Sequence, residues 1–112
     1  MDNKKMMNTK YIFEFEDGTT AEMSLAFYLL YLLRAKNKSL YERYNAAMNR
    51  MGQKNSSYDE LDSLVILYTA YLCANTDDLD KAMSEEEFMM KCGSDRMAIG
   101  QAMQALTSPK KK

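Results

Sequence analysis

Two acidic groupings in this 112-residue chain have residue types that could do chemistry. Glu85-Glu86-Glu87 sets carboxylates side by side, as a general acid and base would need, and Asp77-Asp78-Leu79-Asp80 offers oxygen ligands of the kind that hold calcium. Neither comes with the rest of its apparatus. The three glutamates fall in the first turn of an expected helix, where acidic side chains favour the helix dipole. The aspartates lack the glycine and the distant glutamate of an EF-hand loop. The chain has no His, which removes the usual general base and the commonest metal ligand, so a nucleophile–base pair would need a Lys or a carboxylate as substitute. Cys73 and Cys92 form no Cys-x-x-Cys pair, and no His could complete a zinc site. One disulfide is formally possible, but two reduced thiols packed as small apolar residues is the favoured reading. Gly18, Gly52, Gly93 and Gly100 make no phosphate-cradling loop. The expectation is a protein without catalysis, cofactor or metal.

The charge balance narrows the partners. With 15 basic and 16 acidic side chains the net charge is −1, too small a field to hold nucleic acid or an anionic membrane surface. The start, Met1-Asp2-Asn3-Lys4-Lys5, has no apolar signal-peptide region. The longest uncharged apolar run, Leu25 to Leu33, falls short of the roughly 20 residues that span a bilayer. Both features fit a soluble protein of the cytoplasm. A 12.9 kDa chain folded alone exposes roughly 6,300 Å² of an extended surface of roughly 18,700 Å². That supports one modest core and a single domain over 10–106, after a polar leader over 1–9 and before a basic tail over 107–112.

The elements that must position any site follow from pattern. Tyr11, Phe13 and Phe15 alternate with Ile12, Glu14 and Glu16, the period of a strand, and Asp17-Gly18 signals a hairpin turn. A two-residue turn would mix the faces. A three-residue loop Glu16-Asp17-Gly18, with Gly18 left-handed in a bulge, pairs Phe15 with Thr19, Phe13 with Ala21 and Tyr11 with Met23, and so gathers the apolar side chains on one face. The hairpin is expected over 10–23. Everything beyond it reads helical. Ser24 is the expected cap of a helix over Leu25–Lys36. Ser39/Glu42, Ser57/Glu60 and Ser84/Glu87 have capping-box spacing and predict helices over Leu40–Met51, Tyr58–Ala74 and Glu85–Lys91, with Gly52 and Gly93 as stops. Ser94 is the expected cap of a last helix to about Leu106. The fold class is mainly α with an N-terminal β-hairpin (α+β), about five helices in a small bundle.

The faces of these helices carry more apolar surface than one core needs. Helix one is apolar nearly all round: Leu25, Leu29, Leu32 and Leu33 form one stripe, and Phe27, Leu30 and Tyr31 another. It is either central or shared between the core and a partner. Leu40, Tyr41, Tyr44, Ala47, Met48 and Met51 line helix two, and Leu61, Leu64, Val65, Tyr68 and Leu72 line helix three, with Leu67 and Tyr71 broadening that stripe. Of 11 Met, Met83, Met89, Met90, Met97 and Met103 crowd the C-terminal end, either filling gaps or forming a pliable docking unit. The candidate partner-binding residues are Phe27, Tyr28, Tyr31, Tyr41 and Tyr44 on the first two helices, with Met89 and Met90 further on. The closing Lys110-Lys111-Lys112 is either a solvated tail or the product of an A-rich slippery codon run, in which case a longer −1 frameshift form exists.

The stretches Tyr11-Ile-Phe-Glu-Phe-Glu-Asp-Gly18, Met23-Ser-Leu-Ala-Phe-Tyr-Leu-Leu-Tyr-Leu-Leu33 and Asn37-Lys-Ser-Leu-Tyr-Glu-Arg-Tyr-Asn45, followed by an acidic-started short helix with Phe88, a closing helix and Pro-Lys-Lys-Lys, resemble the tail assembly chaperones of long-tailed phages and prophages of Gram-positive bacteria. The likeness runs over about 10–112 in one order, and the methionine-rich ending departs from the leucine-rich helices expected there. The resemblance implies a small helical protein of the host cytoplasm, absent from the mature virion. Its partners would be the tape measure protein, which it keeps soluble, the tail tube protein through a longer frameshift product, and further copies of itself. A small cytosolic helical adaptor acting on a host protein is the alternative that the same faces allow.

Overall fold

A computed structural model describes residues 10–53 and 57–107. The polar leader expected over 1–9 and the basic residues Lys110–Lys112 lie outside the described residues, and Thr107, assigned to the tail from sequence, ends a helix instead. The fold is mainly α with an N-terminal antiparallel hairpin. Strands β1 (Lys10–Glu14) and β2 (Thr20–Ser24) pair Phe13 with Ala21 and Tyr11 with Met23, the register that turn chemistry predicts. Phe15 N–H donates to the Thr19 carbonyl at 2.8 Å and Gly18 N–H to the Phe15 carbonyl at 2.9 Å, with Gly18 at φ +89°. The Asp17 carboxylate closes the loop by accepting from the Thr19 amide at 2.9 Å.

Among the described residues five α-helices follow: α1 (Phe27–Lys36), α2 (Lys38–Met51), α3 (Glu60–Ala74), α4 (Glu85–Cys92) and α5 (Arg96–Thr107), with a 3₁₀ segment over Thr76–Lys81 between α3 and α4. The aspartate run 77–80 therefore sits in that 3₁₀ segment. Helix α3 is the central element. Every residue from Ile66 to Cys73 is buried, because β2, α1, α2, α4 and α5 all pack against it. Phe13, Phe15 and Met23 of the hairpin meet Phe88 of α4 and Ala102 and Met103 of α5 in the same core. The Phe15 ring stands edge-on to Phe13 at 5.2 Å and to Phe88 at 5.8 Å, geometry worth about 0.5–1.5 kcal/mol per pair beyond area. Tyr68 O–H donates to the Met83 carbonyl at 2.8 Å, and Met83 N–H donates to the Tyr71 hydroxyl at 2.9 Å. Two core tyrosines thus satisfy the peptide groups where the chain enters α4.

The helix starts differ from four of the five expected caps. Ser24 does not open helix one. Its hydroxyl accepts from the Ala26 amide at 3.2 Å, a turn that delays the helix to Phe27. Asn37, not Ser39, caps α2 by accepting from the Leu40 amide at 3.2 Å, and the Asn37 amide donates back to Leu33. One residue therefore ends α1 and begins α2. Asp59, not Ser57, caps α3 in a box with Asp62, each carboxylate accepting from the other's amide. Asp95, not Ser94, caps α5 through the Ala98 amide at 3.1 Å. Ser84 does cap α4, accepting from Glu87 N–H at 3.1 Å, and Gly93 ends that helix at φ +63°.

Candidate interaction surface

Helix α1 meets the body of the protein along one line, Leu30 and Leu33, both buried, with Leu29 and Leu32 half-buried beside it. The two leucine and aromatic stripes read from sequence therefore separate differently, since Leu30 turns inward. The opposite side presents Phe27 at 89% exposure, Tyr28 at 67% and Tyr31 at 62%. The Tyr28 and Tyr31 rings stack at 6.4 Å with 22° between planes, so they form a continuous aromatic face rather than scattered side chains. Arg34 and Lys36 follow in the last turn. Arg34 lies over the Tyr41 ring at 5.7 Å, and Lys36 donates to the Thr76 carbonyl at 3.0 Å.

The structure brings together only some of the sequence candidates. Phe27, Tyr28 and Tyr31 share a face. Tyr41 is half-buried on α2, its ring beneath Arg34 of α1. Tyr44 is a core residue, which corrects its placement on a binding surface. Its ring is packed with Leu40 and Ala47 in the buried cluster, and burial pushes its hydroxyl up to about 12. Met89 is half-buried and Met90 exposed on α4, beside Glu85 and Glu86. The methionine cluster divides in the same way, since Met103 is buried and Met97 exposed. Leu61, expected in the helix-three stripe, is exposed at the first turn of α3, over a cleft of about 470 Å³ that Leu64, Ile99 and Gly100 also line. Helical spacing placed Leu61 in the stripe, but among the described residues nothing covers that end of it.

Charged side chains pair between the helices. Glu85 forms a forked ion pair with Arg43, at 3.0 and 2.7 Å. Arg50 forms another with Asp62, at 3.0 and 2.6 Å. Arg96 pairs with Glu60. Both cysteines are buried free thiols, and burial raises Cys73 to about 12 and Cys92 to about 11. Among the described residues no group of three or more His, Cys, Asp or Glu is placed to hold a metal ion, and no helix is long and apolar enough to cross a membrane. No protein-family model, curated protein or solved structure was found to match the chain.

Proposed function

We propose that this protein is a phage tail assembly chaperone that binds the tape measure protein, keeps it soluble and helps recruit tail tube subunits. The observation that carries the reading is the aromatic face of α1. A helix whose inner line is leucine and whose outer face is Phe27, Tyr28 and Tyr31 suits an apolar helical partner, because tyrosine supplies contact area at the rim while tolerating water. A face without a base-specific or charged pattern suits a rod that offers many similar stretches. The family resemblance supplies the identity of that rod. The same reading includes work in the host cytoplasm, absence from the finished virion, and a longer −1 frameshift product read through the codons of Lys110–Lys112.

Coexpression with the tape measure protein encoded in the same genome tests it. The expected result is a soluble complex with several copies per rod. Replacing Phe27→Ser and Tyr31→Ser together should weaken capture by about tenfold or more, as loss of two exposed aromatic anchors would, with little change in thermal stability. A soluble monomer that ignores the tape measure protein would overturn the proposal. Capture of a host protein in its place would favour the adaptor reading.

A further inference from the structure

The outer edge of β1 offers a second recognition surface, distinct from the aromatic face of α1 and defined by backbone geometry. Phe15 N–H donates to Thr19 across the hairpin, so the backbone polar groups of Phe15 face β2. Antiparallel alternation then turns those of Phe13 and Tyr11 toward β2 and those of Glu14, Ile12 and Lys10 away from it. Glu16 N–H donates to the Lys91 carbonyl at 3.3 Å, so the end of α4 covers the edge beside the turn. Over Lys10–Glu14, among the described residues, no backbone hydrogen bond from another element reaches the outward groups. Helix α5 packs against β1, where Ala102 and Met103 join Phe13 in the core. Ile12 is 53% exposed, and Lys10 and Glu14 are exposed beside it. The segment carries neither the proline nor the bulge that usually blunts an open edge.

We infer that this edge pairs with β1 of a second copy of the chain, antiparallel and centred on Ile12. Only outward-facing residues can share the new ladder, and centring on Ile12 uses all three of them. Lys10 of each copy then lies opposite Glu14 of the other, and the two exposed Ile12 side chains face each other. On the inner side Tyr11 lies opposite Phe13. Centring on Tyr11 or Phe13 instead sets a charge opposite Ile12 and loses a rung. The favoured register forms about six backbone hydrogen bonds, two for each of the three facing pairs, and turns a two-stranded sheet into a four-stranded one. Five residues a side is well below the roughly 20–30 of a stable interface, so the dimer is weak and concentration-dependent.

Sedimentation velocity on the purified full-length chain, from about 10 µM to about 1 mM, tests this. The expected result is a reversible monomer–dimer equilibrium. Glu14→Lys or Lys10→Glu alone places like charges opposite each other twice and should weaken dimerisation about tenfold. The double exchange Lys10→Glu/Glu14→Lys should restore it. Circular dichroism checks each fold, and either single variant suffices if the other is misfolded. A monomer throughout the range overturns the inference, as do single exchanges without effect or a double exchange that does not recover. A dimer abolished by Phe27→Ser but indifferent to Glu14→Lys places the contact on α1 and overturns it as well.

Discussion

Gly93 shows how one residue can tie distant parts of the chain together. It ends α4 at φ +63° and ψ −134°, a conformation that only glycine adopts without strain. A Cβ built there would stand 2.1 Å from the Glu16 carboxylate, whose Oε2 accepts from the Ser94 amide at 3.2 Å. The hairpin loop is thereby fastened to the corner between α4 and α5, and Lys91 adds an ion pair with Asp17 at 3.3 Å. Gly93→Ala is expected to destabilise the fold by about 1–3 kcal/mol, measured by urea unfolding. Because Glu16 is exposed and can swing aside, most of that loss should persist in a Glu16→Ser background. Full recovery there would assign the effect to the clash rather than to the backbone. The two thiols make a second residue-scale prediction. Cys73 and Cys92 are buried and their pKa values are raised by desolvation, so a thiol reagent at neutral pH should label them only on unfolding, and labelling of the native protein would contradict that burial.

At the scale of elements, Asn37 is the junction on which the direction of α1 depends. It closes α1 through its amide and opens α2 through its side chain, so Asn37→Ala should cost about 1 kcal/mol, read from the urea midpoint. Ser39→Ala, in the position that capping-box spacing selects, should change stability little, because Ser39 lies exposed inside α2. The contrast between the two variants also marks what sequence could disclose. Hairpin register was legible because period two and the Asp17-Gly18 turn together admit one pairing that keeps Tyr11, Phe13 and Phe15 on one face. The Ser84 cap was legible because no competing Asn or Asp stands next to it. Asn37, Asp59 and Asp95 each lie within two residues of a serine with plausible spacing, and local pattern does not rank them. Asp59 prevails because Asp62, its reciprocal partner, is also held by Arg50 from α2, a contact that only the tertiary fold creates. The aromatic face was legible only in composition. A helix apolar on all sides gives no direction, and it is the packing of Leu30 and Leu33 that turns Phe27, Tyr28 and Tyr31 outward and leaves Tyr44 on α2 in the core.

Across the whole molecule, carboxylates add charged links between elements that the apolar core also joins, and this makes acid the condition that should loosen the fold. Arg50, first through its forked hydrogen bonds to the carboxylate, holds Asp62 below the usual aspartate range. Hydrogen bonding to Arg96 does the same for Glu60, and bonding to Thr19 for Asp17. A group whose pKa is lowered on folding is protonated more readily in the unfolded chain. Its contribution to stability is therefore fully present above the ordinary carboxylate value of about 4 and is lost as pH falls through the folded value. Glu60 and Asp17 are exposed, and solvent screening leaves them little weight. Asp62 is buried and serves both the α3 cap and the link to α2, so the acid loss should be concentrated there. Urea unfolding at pH 7, 5, 4 and 3 is expected to show a flat stability down to about pH 5 and a decline below about pH 4. Asp62→Asn should be less stable than the parent at pH 7, because its amide cannot reproduce the charged fork with Arg50. The difference between the two proteins should then shrink as pH falls, since protonation removes the same charge from the parent. If the two curves instead decline in parallel, Asp62 is not the titrating link, and the acid sensitivity belongs to the surface pairs that join α4 and α5 to the rest.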